Sequence, residues 1–214
     1  MARMYVPLIL PEGIPATDEK EETRLLERLQ QDPSGVALSD SLYELACYYN
    51  KNCRSDLAVK VMMTLMDHSE GPEEQAFCYM SLGQIAEQNG QYALAIEHYS
   101  QGLQLQPKAA LVAYYLHNNM ASCLNAERKY REGEQYCRAA IEIDSARVNA
   151  FKNLGISLRG QGDLIGAAWA YAEASRVDPS DMTTLRLLRK TVAEEPKVLS
   201  PLIHALFCSS TTDN

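Results

Sequence analysis

Chemically reactive side chains are present in this 214-residue chain, but their spacing matches no familiar catalytic or metal site. The six cysteines contain no Cys-x-x-Cys pair, and the four histidines fall in none of the spacings that bind zinc. Adjacent carboxylates such as Glu73 and Glu74 suit the start of a helix, where acidic residues interact favourably with the helix dipole. We therefore expect a protein that is not an enzyme, with no catalytic residue, no metal site and no cofactor.

Three glycines look like a nucleotide-binding loop. Gly160, Gly162 and Gly166 form Gly-x-Gly-x-x-x-Gly, which is similar to a dinucleotide-binding fingerprint. That loop works only where a strand runs into the glycines and a helix leaves them. An amphipathic helical pattern precedes Gly160 instead. The pattern predicts that Gly162 lies in a turn between two helices and that Gly166 lies on the packing face of the second helix.

One sequence pattern recurs three times with a period of about 34 residues. The copies are Ser81–Pro107, Asn119–Ser145 and Asn153–Pro179. Each contains two helical stretches, and a repeat of this length indicates a stacked helical array rather than a closed enzyme fold. Small residues recur at equivalent places in the copies: Gly83, Ala121 and Gly155 in the first helix, then Ala95, Gly133, Ala167, Gly102, Ala140 and Ala174 in the second. Small residues that face each other across two helices would allow close backbone approach.

These residues resemble the tetratricopeptide repeat. The clearest matches are Ala76–Pro107 and Val148–Pro179, Tyr114–Ser145 lacks the closing proline, and a degenerate fourth copy is predicted at Ser39–Glu70. The resemblance implies an all-α fold: a right-handed superhelical solenoid of about four helix pairs, with capping helices at both ends. Whether residues 36–72 form a true repeat stays open.

The predicted domain organisation follows from the repeats. Residues 1–35 form an N-terminal arm and capping helix, and residues 36–181 form the array, with repeats at about 39–72, 76–109, 114–147 and 148–181. Capping helices occupy residues 182–208 and a disordered tail residues 209–214. Met4–Pro11 has two open placements: it packs on the first helices, or it lies extended in the groove of its own chain or of a second copy. Only placement in the groove of a second copy would give a homodimer through the arm.

The charge and hydropathy of the chain limit the classes of partner that it is expected to bind. The net charge is −8, and residues 1–75 carry fourteen acidic against seven basic residues. Either the predicted Thr17–Gln31 helix is simply solvated, or this end attracts a basic partner. Nucleic acid is disfavoured because phosphate binding needs clustered Lys and Arg. No apolar run is long enough to span a membrane, and Met1–Gly13 lacks the features of a secretory signal. We expect a cytoplasmic protein with reduced thiols.

In this family the first helix of each pair usually lines a concave ligand groove. Helical spacing on those helices nominates the groove residues: Tyr43, Cys47, Phe77, Met80, Gln84, Tyr115, Asn118, Asn119, Ser122, Lys152, Asn153, Ile156 and Arg159. We expect Phe77, Met80 and Tyr115 to stay accessible as apolar contacts, because packing between repeats should not consume that face.

The family resemblance assigns roles to some of these residues. An asparagine at the place of Asn119 and Asn153 commonly holds the backbone of an extended ligand, since a carboxamide can both donate to and accept from a peptide group. Tyr43 and Cys47 replace the lysine and asparagine with which some members clamp a C-terminal carboxylate, so a chaperone-tail adaptor is disfavoured. Lys152 and Arg159 would favour an acidic segment near the last repeat.

The sequence therefore predicts a non-catalytic module that binds a segment of another protein, as an adaptor or assembly scaffold. Two alternatives stay open. One is an acidic secretion chaperone of the type III class that holds an apolar client segment. The other is the regulatory part of an enzyme.

Overall fold

The computed structural model describes residues 19–31 and 35–199, which contain ten α-helices, one short 3-10 helix and no strand. The all-α fold predicted from the repeats is confirmed. The arm Met4–Pro11, the predicted helix that opens at Ser200 and the tail 209–214 lie outside the described residues. The helices are α1 (Glu19–Gln31), α2 (Gly35–Lys51), α3 (Ser55–Asp67), α4 (Pro72–Gln88), α5 (Tyr92–Gln104), α6 (Ala110–Ala126), α7 (Tyr130–Ile143), α8 (Val148–Gly160), α9 (Leu164–Val177) and α10 (Met182–Glu194).

The chain divides into two compact units, Met1–Val112 and Ala113–Asn214, with the division inside α6. In unit 1, consecutive helices pack on each other from α1 to α5. In unit 2, α8 packs between α7 and α9, and α10 packs on α9. The 3-10 helix Pro196–Val198 closes unit 2 against α9 and α10 and buries Val198. None of the described helices combines the length and apolarity that a membrane crossing needs.

Two glycines make the tight turns inside helix pairs. Gly90 after α4 and Gly162 after α8 have φ of 72° and 86°, a region that L side chains rarely adopt. The predicted turn at Gly162 is confirmed. The prediction for Gly166 is wrong: its N–H donates to Asp163 Oδ1 of the α9 N-cap at 2.8 Å, and an added Cβ would meet that carboxylate. Capping, and not packing between helices, explains this glycine.

The predicted contact between small residues within a pair is also different in the structure. Gly83 faces the ring of Tyr99, and Gly155 faces the ring of Tyr171, so closely that an added Cβ would overlap either ring. Both tyrosines are fully buried, as are Ala95 and Ala167. The glycine therefore makes room for an aromatic ring on the second helix, and the alanines fill the space beside it.

Helix α1 is anchored to unit 1 through its charged residues. Glu22 accepts hydrogen bonds from Arg54 at 2.6 Å and from the Tyr49 hydroxyl at 2.9 Å. The hydrogen bond from Arg54 lowers the pKa of Glu22. Arg28 forms an ion pair with Glu44 of α2 at 2.7 Å. The interpretation of α1 as a simply solvated acidic helix is therefore wrong for Glu22, because this carboxylate joins α1 to the rest of the unit.

Candidate functional site

The predicted groove residues of unit 2 lie on two helices that are joined by side-chain amides. On α8, Asn153 Nδ2 donates to Asn118 Oδ1 of α6 at 3.1 Å. Asn118 Nδ2 in turn donates to Asn119 Oδ1 at 3.0 Å. The three carboxamides thus form one continuous chain, which we call the amide relay, and Asn118 in its middle is 5% exposed.

The direction of the relay leaves one donor and one acceptor at its ends. Within the described residues, Asn119 Nδ2 and Asn153 Oδ1 make no hydrogen bond, while the other amide groups of the relay are bonded to each other. Asn119 and Asn153 are both half-buried. A backbone peptide group has one C=O and one N–H, so these ends match its hydrogen-bonding groups in kind.

A second, buried set of polar groups holds the backbone beneath the relay. Asn125 Nδ2 donates to the carbonyl of Asn153 at 3.0 Å, and Ser157 Oγ donates to Asn125 Oδ1 at 2.8 Å. Asn125 and Ser157 are 8% and 0% exposed. These contacts fix α8 against α6 at Asn153, because buried polar groups lose stability when they are left unpaired.

Sequence reasoning missed Asn125 and Ser157, although a signal was present. Gly133 stands where the other two copies have Ala95 and Ala167. A Cβ at position 133 would lie 2.8 Å from Asn125 Oδ1. The glycine at this place therefore indicates that a polar side chain fills the space between the helices.

Tyr115 is held in place by Arg147, another residue that sequence reasoning missed. Arg147 donates to the Tyr115 hydroxyl at 3.1 Å and to Asp144 at 2.6 Å. Its guanidinium also lies over the rings of Tyr114 and Tyr115, at 5.2 and 5.4 Å from the centroids. Tyr115 is half-buried, so it offers part of its ring in a defined orientation.

The remaining unit 2 residues differ in how accessible they are. Ser122 and Ile156 are half-buried, and Ile156 packs against the core cluster that includes Leu154 and Leu158. Lys152 forms an ion pair with Asp181 at 3.2 Å, and Arg159 with Glu194 at 2.5 Å.

The expectation that Lys152 and Arg159 attract an acidic ligand is therefore wrong, because the chain supplies its own carboxylates from α10. Burial raises the pKa of Asp181, but hydrogen bonds from Thr184 and Lys152 outweigh burial and lower it to about 2. The carboxylate is thus held charged against Lys152.

The predicted residues of unit 1 are more deeply buried. Phe77 and Met80 are each 1% exposed and Gln84 is 7% exposed. The expectation that Phe77 and Met80 form an accessible apolar surface is wrong, because neighbouring helices cover this part of α4. Tyr43 of α2 packs its ring edge-on against Phe77, with centroids 5.1 Å apart. Tyr43 and Cys47 are half-buried, and burial raises the pKa of the Cys47 thiol to about 11.

The positions of unit 1 that are equivalent to Asn119 and Asn153 in the repeat carry different side chains. Glu44 lies there on α2 and is paired with Arg28. Ser81 lies there on α4 and is fully buried. The amide relay is therefore a feature of unit 2.

Comparison with known proteins agrees with this architecture. The family model described as "Tetratricopeptide repeat" matches residues 76–109, which contain α4 and α5. This part of the chain matches a tetratricopeptide repeat.

Two curated relatives of this chain are informative. An uncharacterised TPR repeat-containing protein of Arabidopsis thaliana is 26% identical over 136 residues, which is 60% of this chain but only 16% of the relative. The photosystem I assembly protein Ycf3 of Acaryochloris marina is 27% identical over 122 residues, which is 57% of this chain and 70% of Ycf3.

Solved structures show the same fold. BtubC from P. vanneervenii superposes with a TM-score of 0.68 at 18% identity, over 88% of this chain and 84% of BtubC. The second TPR domain of human RPAP3, solved in complex with an HSP70 peptide, has a TM-score of 0.52 at 29% identity, over 56% of this chain and 98% of that domain.

Proposed function

We propose that this protein is an interaction module that holds a segment of another protein along the α6–α8 face of unit 2 and acts as an adaptor or assembly scaffold. The amide relay carries the proposal. Its two free ends, the Nδ2 of Asn119 and the Oδ1 of Asn153, would bind the backbone of an extended segment. Tyr115, held by Arg147, would contact the side chains of that segment.

Backbone recognition of this kind tolerates many ligand sequences. A carboxamide that bonds a peptide group does not contact the side chain of the ligand, so Asn119 and Asn153 supply affinity without sequence preference. Selectivity then depends on the half-buried Tyr115 and Ile156 beside the relay. An adaptor that binds several partners needs separate groups for binding the ligand backbone and for recognising the ligand side chains.

The relatives support the proposal at the level of class. Human RPAP3 holds an HSP70 peptide in the solved complex, and Ycf3 is named an assembly protein. Binding of a partner's peptide and a role in assembly are therefore both found among similar proteins. No particular partner follows for this chain.

A function as a chaperone for an apolar client segment has less support. Such a chaperone would need large apolar side chains accessible on the first helices. Phe77 and Met80, the best candidates, are buried in unit 1. The accessible groups on the α6–α8 face of unit 2 are mainly amides and a tyrosine, which suit a polar backbone better than an apolar side chain.

Site-specific photo-crosslinking tests the proposal. A photo-reactive amino acid replaces Asn149, which is exposed on the first turn of α8 beside the proposed site, and in a control variant it replaces Gln135, which is exposed on α7. A partner is first purified with the tagged protein from the native cell. We expect one segment of that partner to crosslink at position 149, and excess unmodified protein to compete. Equal crosslinking at position 135, or none at 149 with an intact complex, would contradict the proposed site.

A further inference from the structure

Three exposed cations lie close together on α10. Arg186, Arg189 and Lys190 are all exposed and lie within one turn of each other on this helix. Residues three and four apart are neighbours on a helix surface. None of the three makes an ion pair or a side-chain hydrogen bond with the part of the chain that the structure describes. We call these residues the α10 basic face.

The acidic residues at the two ends of α10 are already paired with α8. Asp181, the N-cap, pairs with Lys152, and Glu194 in the last turn pairs with Arg159. These two carboxylates thus form ion pairs with α8 and not with the arginines of α10. Asp181 and the exposed Glu194 are therefore each paired within unit 2, and the three cations have no carboxylate partner among the described residues.

The basic face also follows the repeat register. Arg186 and Lys190 come 34 residues after Lys152 and Ile156, two residues of the predicted groove face on α8. Helix α10 packs on α9 as the next helix of unit 2. It therefore stands where a further first helix would begin, and Arg186 and Lys190 stand at groove positions of that helix.

We propose that the α10 basic face docks an acidic segment of a partner protein. Lys152 and Arg159 cannot attract an acidic ligand, because both are paired. The three cations of the α10 basic face have no carboxylate partner in the described residues, so they can. Met182, which is 66% exposed one turn before Arg186, adds an adaptable apolar contact at the edge of this face.

Two other acidic surfaces fit less well. A membrane-binding helix would need an exposed apolar face, but Leu187 and Leu188 of α10 pack against the core cluster of unit 2. Nucleic acid would need a longer basic track with aromatic residues for stacking, and α10 has no aromatic residue. A short run of carboxylates on a partner protein matches the length of this face.

Fluorescence anisotropy with a defined probe tests the proposal. The probe is a short fluorescein-labelled peptide of alternating glutamate and alanine, with its ends blocked, and the same peptide with glutamine is the uncharged reference. The test variant carries R186Q, R189Q and K190Q. The control variant carries R128Q, K129Q and R131Q, three exposed cations just before and in the first turn of α7 whose side chains also make no ion pair within the described residues. Both variants change the net charge equally.

We expect the glutamate peptide to bind the full chain, to bind less tightly as salt rises, and to lose about tenfold in affinity with the α10 variant. The control variant should change the affinity less than about twofold. Equal weakening by both variants would show attraction to net charge only and would overturn the proposal. So would no binding of the glutamate peptide, or an α10 effect that is larger for anionic lipid vesicles or single-stranded DNA than for the peptide.

This inference goes beyond the proposed function and can fail separately. A variant with N119A and N153A leaves the α10 cations in place, so it should bind the glutamate peptide like the natural chain. If that variant loses the probe while the α10 variant keeps it, the acidic segment binds at the relay and the α10 proposal is wrong.

Discussion

The ring of Tyr171 lies against the α-carbon of Gly155, and Tyr99 lies in the same way against Gly83. Sixteen residues separate the two members in both cases. The same separation joins Ala121 to Cys137, and both of these are fully buried in one core cluster. A glycine thus occurs with a ring and an alanine with a smaller side chain.

Replacement of Gly155 by alanine tests this relationship. The new Cβ would overlap a buried ring, and overpacking of this kind costs about 1–3 kcal/mol, partly offset by the higher helix propensity of alanine, about 1 kcal/mol. We expect a net loss of up to about 2 kcal/mol in the free energy of unfolding, measured by urea denaturation. In a Y171C background, which recreates the Ala121 and Cys137 combination, G155A should be neutral or stabilising. The same loss in both backgrounds would show that the ring is not the cause.

Removal of the side-chain hydroxyl should change stability differently at Tyr171 and at Tyr99. Tyr171 is fully buried and its hydroxyl has no hydrogen-bond partner within the described residues, while Tyr99 donates to Glu87 at 2.9 Å. Replacement of Tyr171 by phenylalanine removes an unpaired polar group and should leave stability unchanged or raise it by up to about 1 kcal/mol. Y99F should lower stability by about 0.5–1.5 kcal/mol. Thermal unfolding of both variants measures the contrast, and a larger loss for Y171F would refute it.

Asp181 should make stability depend on pH in the acidic range. Its pKa falls from the usual 3.8 to about 2 in the folded chain, because Thr184 and Lys152 outweigh the effect of burial. The folded pKa lies below the unfolded one, so the stabilisation is complete above the unfolded value and is lost as pH falls toward the folded value. We expect about 1–2 kcal/mol to disappear from pH 5 to pH 2.

The variant D181N isolates this contribution, because asparagine keeps an N-cap oxygen for Thr183 and Thr184 but has no charge. The difference in unfolding free energy between the natural chain and D181N should be largest above pH 5 and should shrink below it. A difference that stays constant from pH 5 to pH 2 would mean that the pairing with Lys152 adds nothing.

The fold was predictable because its signals are local. Small residues such as Gly83 and Gly155 recur at fixed places, and each helix pair repeats the same apolar spacing. The partner of each glycine was not predictable from the spacing alone, since the size of Tyr99 or Tyr171 decides what the glycine accommodates.

The candidate site was less predictable because accessibility depends on residues far along the chain. Phe77 and Met80 have the right helical positions, yet α2 covers Phe77 with Tyr43. Lys152 and Arg159 are neutralised by residues 29 and 35 positions later. The positions of Asn119 and Asn153 follow from the repeat register, but their connection through Asn118 depends on the distance between α6 and α8.

Binding calorimetry on a purified partner tests the central claim most directly. The natural chain is compared with a variant that carries N119A and N153A and with the control Q135A, which removes an exposed amide from α7. If the relay holds the partner's backbone, the double variant should keep its helicity and lose about 1–3 kcal/mol of binding free energy, while Q135A binds normally. Unchanged affinity of the natively folded double variant would contradict backbone holding by Asn119 and Asn153.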